Sequence, residues 1–311
     1  MKAALLTELP GTPAPGDFDR PEPEAGQQLI EVEAAGLNPV DVNISLGLVF
    51  TPPLPSVVGL EGIGRTKDGR RVYYDMTKQP YGSFAEYCLV ADEDLMSIPE
   101  GIDAATAMPF GIAGLAAWTG LDWKGKLSEG ETVLILGASS IVGQIGVQVA
   151  KRLGAGRVVA AARDEALLAR CVELGADATV QLGGDREEIT AAMIEAADGG
   201  FDLVLDLLWA EPIEATIEAM AEFGRVVQIG GSAGLHAELP ARAMRNRGVS
   251  ILPHINYHAS VAVREEAFGA MCEMSEAGDL IVPVEEVPLE DVAQAWERQR
   301  NGPHVKLVIR P

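Results

Sequence analysis

The chain has 311 residues, 48% hydrophobic and 23% charged, a balance that suits a globular protein large enough for two cores and excludes wholesale disorder. Asp and Glu number 46 against 24 Lys and Arg, and the net charge of -22 opposes binding to nucleic-acid phosphates or anionic membrane surfaces. No apolar run reaches the roughly 18–20 residues of a bilayer span, and Met1 opens directly into the strand-like KAALL. Cys88, Cys171 and Cys272 are widely separated and odd in number, which offers neither a disulfide framework nor a CxxC zinc knuckle and leads us to expect a cytoplasmic protein.

The first hundred residues read as short strands between Pro and Gly breaks: KAALL, QQLIEVEAAG, SVVGLEGIG, RRVYY and SFAEYCLVA. From Asp103 the Ala-rich AATAMPFGIAGLAAWTGL predicts helix, and strand and helix segments then alternate. Strands are predicted at 132–136, 157–161, 178–180, 203–206, 226–229 and 249–252. Such alternation, closed by right-handed crossovers, predicts a parallel sheet with helices on both faces. The tail from Met271 predicts helix, strand, helix, strand, and its closing KLVIRP is too short to fold alone, so it is expected to rejoin the first lobe.

In VLILGASSIVGQIGVQVAKRLGAGRVV an apolar strand runs into a glycine turn and a long helix. Dinucleotide binding asks for a glycine at the turn, an unhindered backbone facing the pyrophosphate, and a glycine where helix and strand approach closely. Gly137 and Gly143 meet the first and third demands, while residues 139–142 are Ser139, Ser140, Ile141 and Val142 rather than a glycine-containing run. The next strand ends in AAARD, where an NAD-preferring unit usually has an acid; Ala162 stands there instead, followed by Arg163. A guanidinium binds a 2′-phosphate with paired charge-assisted hydrogen bonds, so NADPH is the expected cofactor. Asp164 either reaches the ribose or caps the helix beginning at Glu165.

Together with EAAGLNPVD, PSVVGLEGIG, YGSFAEYCLV, MPFGIAGLAAW, ELGAD, VLDLL, GRVVQIG and GDLIVPVEEVPLEDVAQAW, these motifs run nearly the whole length of the chain. In order and spacing the chain resembles the medium-chain dehydrogenases and reductases, specifically their zinc-free, zeta-crystallin-like quinone oxidoreductase branch. The resemblance implies an α/β fold: a Rossmann doubly wound parallel sheet over 108–253 and a GroES-like β-rich catalytic domain from 1–107 and 254–311. It implies a homodimer joined through the edge strand in VSILPHI, and it adds Asp206, Ile229, Gly230 and Lys306 to the cofactor residues. The family's catalytic zinc ligands fall on Asn38 and Leu60, and leucine cannot ligate zinc, so no metal is expected.

The implied reaction is hydride transfer from the nicotinamide to a quinone or α,β-unsaturated carbonyl, with hydrogen-bond donors replacing the metal at the developing oxyanion. Asn38 is the first candidate donor, with Asn43 second and Tyr257 as a proton donor or stacking surface. A structural use of Asn38 and Asn43 in local turns is the alternative for both. His254 and His258 have a metal-like spacing, which Pro253 keeps off a helix, and they are expected to line the site instead. Arg242, Arg245 and Arg247 suit coenzyme A phosphates, which keeps an enoyl-thioester or simple ketone reductase as an alternative. A non-catalytic NADPH-binding sensor or structural protein is the second alternative, suggested by the missing middle glycine.

Overall fold

The computed structural model describes all residues, 1–311, and the chain forms two units. Unit 1 comprises Met1–Ile112, Phe268–Glu276 and Val282–Pro311; unit 2 comprises Ala113–Ala267 and Ala277–Ile281. The strands in chain order are β1 (Lys2–Leu6), β2 (Ala14–Asp17), β3 (Gln27–Gly36), β4 (Ser56–Val57), β5 (Glu61–Thr66), β6 (Arg71–Tyr74), β7 (Tyr87–Ala91) and β8 (Met96–Ser97) in unit 1. Unit 2 follows with β9 (Thr132–Leu136), β10 (Arg157–Ala162), β11 (Ala178–Gln181), β12 (Phe201–Asp206), β13 (Met220–Gln228) and β14 (Ser250–Pro253), and β15 (Val284–Pro288) and β16 (Lys306–Arg310) return to unit 1.

Unit 1 is built on β3, whose ten residues alternate well enough to pair β5 on one side and β7 and β16 on the other. The order β15-β16-β3-β5-β6-β8, with β7 on β3, makes a seven-stranded sheet, and β2-β1-β4 forms a smaller one. Leu6, Ile30, Val72, Phe84, Trp296, Leu307 and Ile309 are fully or almost fully buried in one core. At about 1.5–3 kcal/mol for each such side chain relative to exposure, this core explains why the short C-terminal strand is retained here.

In unit 2 the sheet order is β11-β10-β9-β12-β13-β14, and every pair is parallel. The chain winds outward from β9 to β11, then returns to β12 beside β9 and winds the other way, which places the topological switch between β9 and β12. Val133, Leu134, Ile135, Val204 and Leu205 are all buried to 0% exposure, because central strands of such a sheet are covered on both faces.

The two compact units differ in extent from the expected domains. Residues 254–267 and 277–281, expected in the first lobe, fall in unit 2: the His254 amide donates to Gln228 O at 2.9 Å and its ring bonds Thr119 at 2.8 Å, while the Ile281 amide donates to Gln148 Oε1 at 2.8 Å. The first boundary falls at Ile112 rather than 107. The helix expected over AATAMPFGIAGLAAWTGL is broken into Ala104–Ala107, a 3-10 turn at Met108–Phe110, the helix Ile112–Thr119 and a π-turn at Gly120–Lys124. Pro109 and Gly111 interrupt it, and a Cβ at Gly111 would lie 2.5 Å from Tyr73 Oη.

Candidate active site

The turn between β9 and the helix Ile141–Arg152 has the construction that a pyrophosphate requires. Gly137 has φ +87°, a conformation that favours glycine, and its amide and that of Ala138 both donate to Ala161 O on β10. Ser140 is the N-cap: its Oγ accepts from the Gly143 amide at 3.1 Å and donates to Gly137 O at 2.8 Å. A Cβ on Gly143 would lie 2.5 Å from Ala138 Cα, so the helix enters at a distance only glycine allows. Ser139, Ile141 and Val142 are half-buried along the same turn, leaving the first amides of a twelve-residue helix facing outward with their partial positive charge. A dinucleotide fits this cradle without a middle glycine.

At the end of β10, Ala162 is buried and Arg163 is exposed with no ion pair in the chain. Asp164 Oδ1 accepts from the Leu167 amide at 3.0 Å and caps the helix Glu165–Glu173. Across the switch, Asp206 ends β12. Its Oδ1 accepts the Leu208 and Trp209 amides, both at 2.9 Å, while its buried Oδ2 has no partner. Trp209 and Ala210 follow with φ of 59° and 49°, a strained pair in the turn that Asp206 holds. Ile229 and Gly230 lie at the end of β13, their amides donating to Asp206 O at 2.9 and 3.2 Å. Gly137, Arg163, Asp206, Ile229 and Gly230 thus stand at the carboxyl ends of neighbouring strands, where ligands of open α/β sheets bind.

Burial pushes the Asp206 carboxyl up from its ordinary 3.8 to about 6, opposed by the two amides. A raised acid binds its proton more tightly when folded, so its stabilising share is intact below the unfolded value and is lost as pH rises from there through 6. Asp206→Asn keeps the Oδ1 acceptor and removes the ionisation. The variant is expected to come close to the wild type at about pH 3.5 and to exceed it by about 2–3 kcal/mol at about pH 8, measured by urea denaturation at both pH values.

A second cluster in unit 1 was not foreseen as a unit. Lys306 Nζ lies 2.6 Å from Glu61 Oε1 and 2.7 Å from Asn38; because an ammonium only donates, the Asn38 atom facing it is Oδ1. Asn38 Nδ2 then donates to Glu61 Oε1 at 2.7 Å and to Gly36 O at 3.2 Å. Glu61 Oε2 accepts from Tyr73 Oη at 2.8 Å and from the Ile112 amide at 2.7 Å. Asn38, Glu61 and Lys306 are 4%, 0% and 2% exposed. Both amide hydrogens of Asn38 are thus engaged within the cluster, and Lys306 gives two of its three hydrogens to Asn38 and Glu61. The signal in the sequence was a charged residue opening each of two strands, EGIGRT and KLVIR, which carry one further charge each, Arg65 and Arg310.

Beside this cluster burial pushes the Asp41 carboxyl up to about 7, with Glu61 adding to the rise and the Asn38 and Leu60 amides opposing it. Asn43 lies on the exposed face of the helix Pro39–Ser45. Tyr257 is 45% exposed in unit 2, with the Arg264 guanidinium 5.7 Å from its ring centroid. His254 and His258 are not on a shared helix: one follows β14, the other closes a 3-10 turn, and their rings lie 5.9 Å apart. No group of three or more His, Cys, Asp or Glu side chains is arranged to hold a metal ion. No single helix is long and apolar enough to cross a membrane.

Comparison with known proteins agrees with this geometry. Residues 24–100 match the alcohol dehydrogenase GroES-like domain and residues 142–275 match the zinc-binding dehydrogenase model. The latter segment lies wholly outside the Asn38 and Leu60 positions, so its label says nothing about metal in this chain. The chain is 30% identical to the quinone oxidoreductase of Sus scrofa over 90% of its own length and 87% of the relative's. A solved structure of the quinone oxidoreductase from Thermus thermophilus, also studied as its complex with NADPH, superposes with a TM-score of 0.84 at 30% identity, covering 100% of both chains. A 30% match over 94% of this chain also occurs within 14% of a phenolphthiocerol/phthiocerol polyketide synthase chain of Mycobacterium tuberculosis. The fold and both units define an oxidoreductase of the nicotinamide-dependent type. The chain belongs to the medium-chain dehydrogenase/reductase superfamily, in its quinone oxidoreductase branch.

Proposed function

We propose that this protein is a zinc-independent, NADPH-dependent reductase of quinones or α,β-unsaturated carbonyls. The observation that carries the cofactor choice is an exposed Arg163 without an ion pair in the chain, at the end of β10 where Ala162 supplies no carboxylate. The Gly137–Gly143 turn holds the pyrophosphate, Arg163 the 2′-phosphate, and residues at the ends of β12 and β13 the second nucleotide half. NADPH, when bound, supplies the hydride.

The chain's own tasks are to orient the ring, exclude water and donate hydrogen bonds to the carbonyl oxygen. With Asn38 committed, the exposed Asn43 amide is the candidate donor, and Tyr257 remains a candidate from unit 2. Three buried free cysteines suit a reducing, cytoplasmic setting. The free edge of β14, which pairs only β13, suits strand pairing with a second copy in a homodimer.

Exposed Arg242 and Arg245 on a helix without acids favour a second reading, an enoyl-thioester reductase. NADPH consumption with a panel of quinones, enones and enoyl-coenzyme A esters tests both. Quinone or enone turnover without coenzyme A is expected. Turnover restricted to the thioester supports the second reading, and NADPH binding without turnover of any acceptor would leave the non-catalytic alternative.

A further inference from the structure

His254 follows β14 in unit 2, is 2% exposed, and has a tautomer fixed by its neighbours. Thr119 Oγ1 lies 2.5 Å from Leu115 O, a separation that requires a hydrogen between the two oxygens, and only the threonine hydroxyl has one. The same Oγ1 lies 2.8 Å from His254 Nε2, so that nitrogen carries the ring hydrogen and donates to Thr119. Nδ1 is left as a bare acceptor, buried and without a partner. An unpaired buried acceptor is destabilising, and a ligand donor removes that cost. The imidazole is flanked by the rings of Trp123, 5.7 Å away, and His258, 5.9 Å away. Both flanking residues are solvent-exposed, so the His254 ring lies next to the surface.

We infer that His254 Nδ1 positions the nicotinamide by accepting a hydrogen bond from the carboxamide NH2 of the bound cofactor. The inference rests on the proposed NADPH reading. In a doubly wound sheet each mononucleotide half serves one half of the dinucleotide. The turn after β9 and Arg163 after β10 take the pyrophosphate and the adenosine side, so the carboxyl ends of β12, β13 and β14 face the nicotinamide side. Among the donors on that half of the cofactor, the carboxamide is the one planar NH2 group, matched to a ring nitrogen lone pair.

Two substitutions separate positioning from mere support of Thr119. His254→Gln places its terminal amide near the Nε2 position and keeps a donor toward Thr119, but lacks an acceptor at Nδ1; His254→Asn does the reverse. Calorimetric titration of the full chain with NADPH, and with 2′-phospho-ADP-ribose, which has no nicotinamide, reads the difference. His254→Gln is expected to weaken NADPH about tenfold and leave the fragment unchanged, with His254→Asn within about threefold of wild type for both. Equal NADPH affinity in His254→Gln and wild type, or equal weakening of NADPH and fragment, overturns the assignment. If wild type binds neither ligand, the cofactor reading itself fails and takes this assignment with it.

Discussion

Lys306→Met is expected to destabilise the protein by about 3–5 kcal/mol, among the largest single-residue effects available in this chain. The substitution removes the only cation that touches Glu61, and the carboxylate stays at 0% exposure with its hydrogen-bond donors arranged around a charge. Breaking a buried pair from one side leaves an uncompensated charge, which costs far more than the pair contributes when intact. Glu61→Gln in the Lys306→Met background removes that charge, while the new side-chain amide oxygen still accepts from Tyr73 and the Ile112 amide. The double variant should recover at least about 2 kcal/mol of the loss, a coupling readable from a double-mutant cycle in urea. Additive losses would mean that the cluster does not act as one unit.

Gly143→Ala should damage binding more than its size suggests. Its Cβ would lie 2.5 Å from Ala138 Cα and 2.7 Å from Ala138 C, backbone atoms that cannot rotate away. The turn from Gly137 to Ser140 must shift, at about 1–3 kcal/mol in stability. Because that turn presents the helix amides, NADPH affinity should fall more than tenfold, about 1.4 kcal/mol or more. Gly146→Ala is the control: its Cβ meets Leu205 Cδ2 at 3.2 Å, the end of a flexible side chain, and binding should survive. Similar losses in both variants would point to general helix destabilisation rather than to the turn.

The sheet of unit 2 was legible because its strands are apolar runs punctuated by glycine, and the predicted β9 coincides with Thr132–Leu136. β2 was missed because APGD has neither alternation nor β-branched residues and is a strand only by pairing with β1. The phosphate turn could be read from local spacing, since every residue in it is near its neighbours in sequence. The Asn38–Glu61–Lys306 cluster could not, because its members are separated by up to 268 positions and periodicity carries no information about which strands become neighbours. Asn38 was assigned by the position it fills in the family, but the partner that uses up its amide lies on β5 and is held there by a lysine of β16. The same limit applies to His254, whose tautomer depends on Thr119, 135 residues earlier.

The most direct measurement is a titration with NADPH and with NADH, following nicotinamide fluorescence, on the wild type and on Arg163→Ala. NADPH should bind the wild type at least tenfold more tightly than NADH, and the substitution should erase most of that advantage, about 1.4 kcal/mol or more, while leaving NADH affinity nearly unchanged. Equal or tighter binding of NADH by the wild type, or a preference for NADPH that survives loss of the guanidinium, would contradict the assignment of Arg163 as the 2′-phosphate ligand.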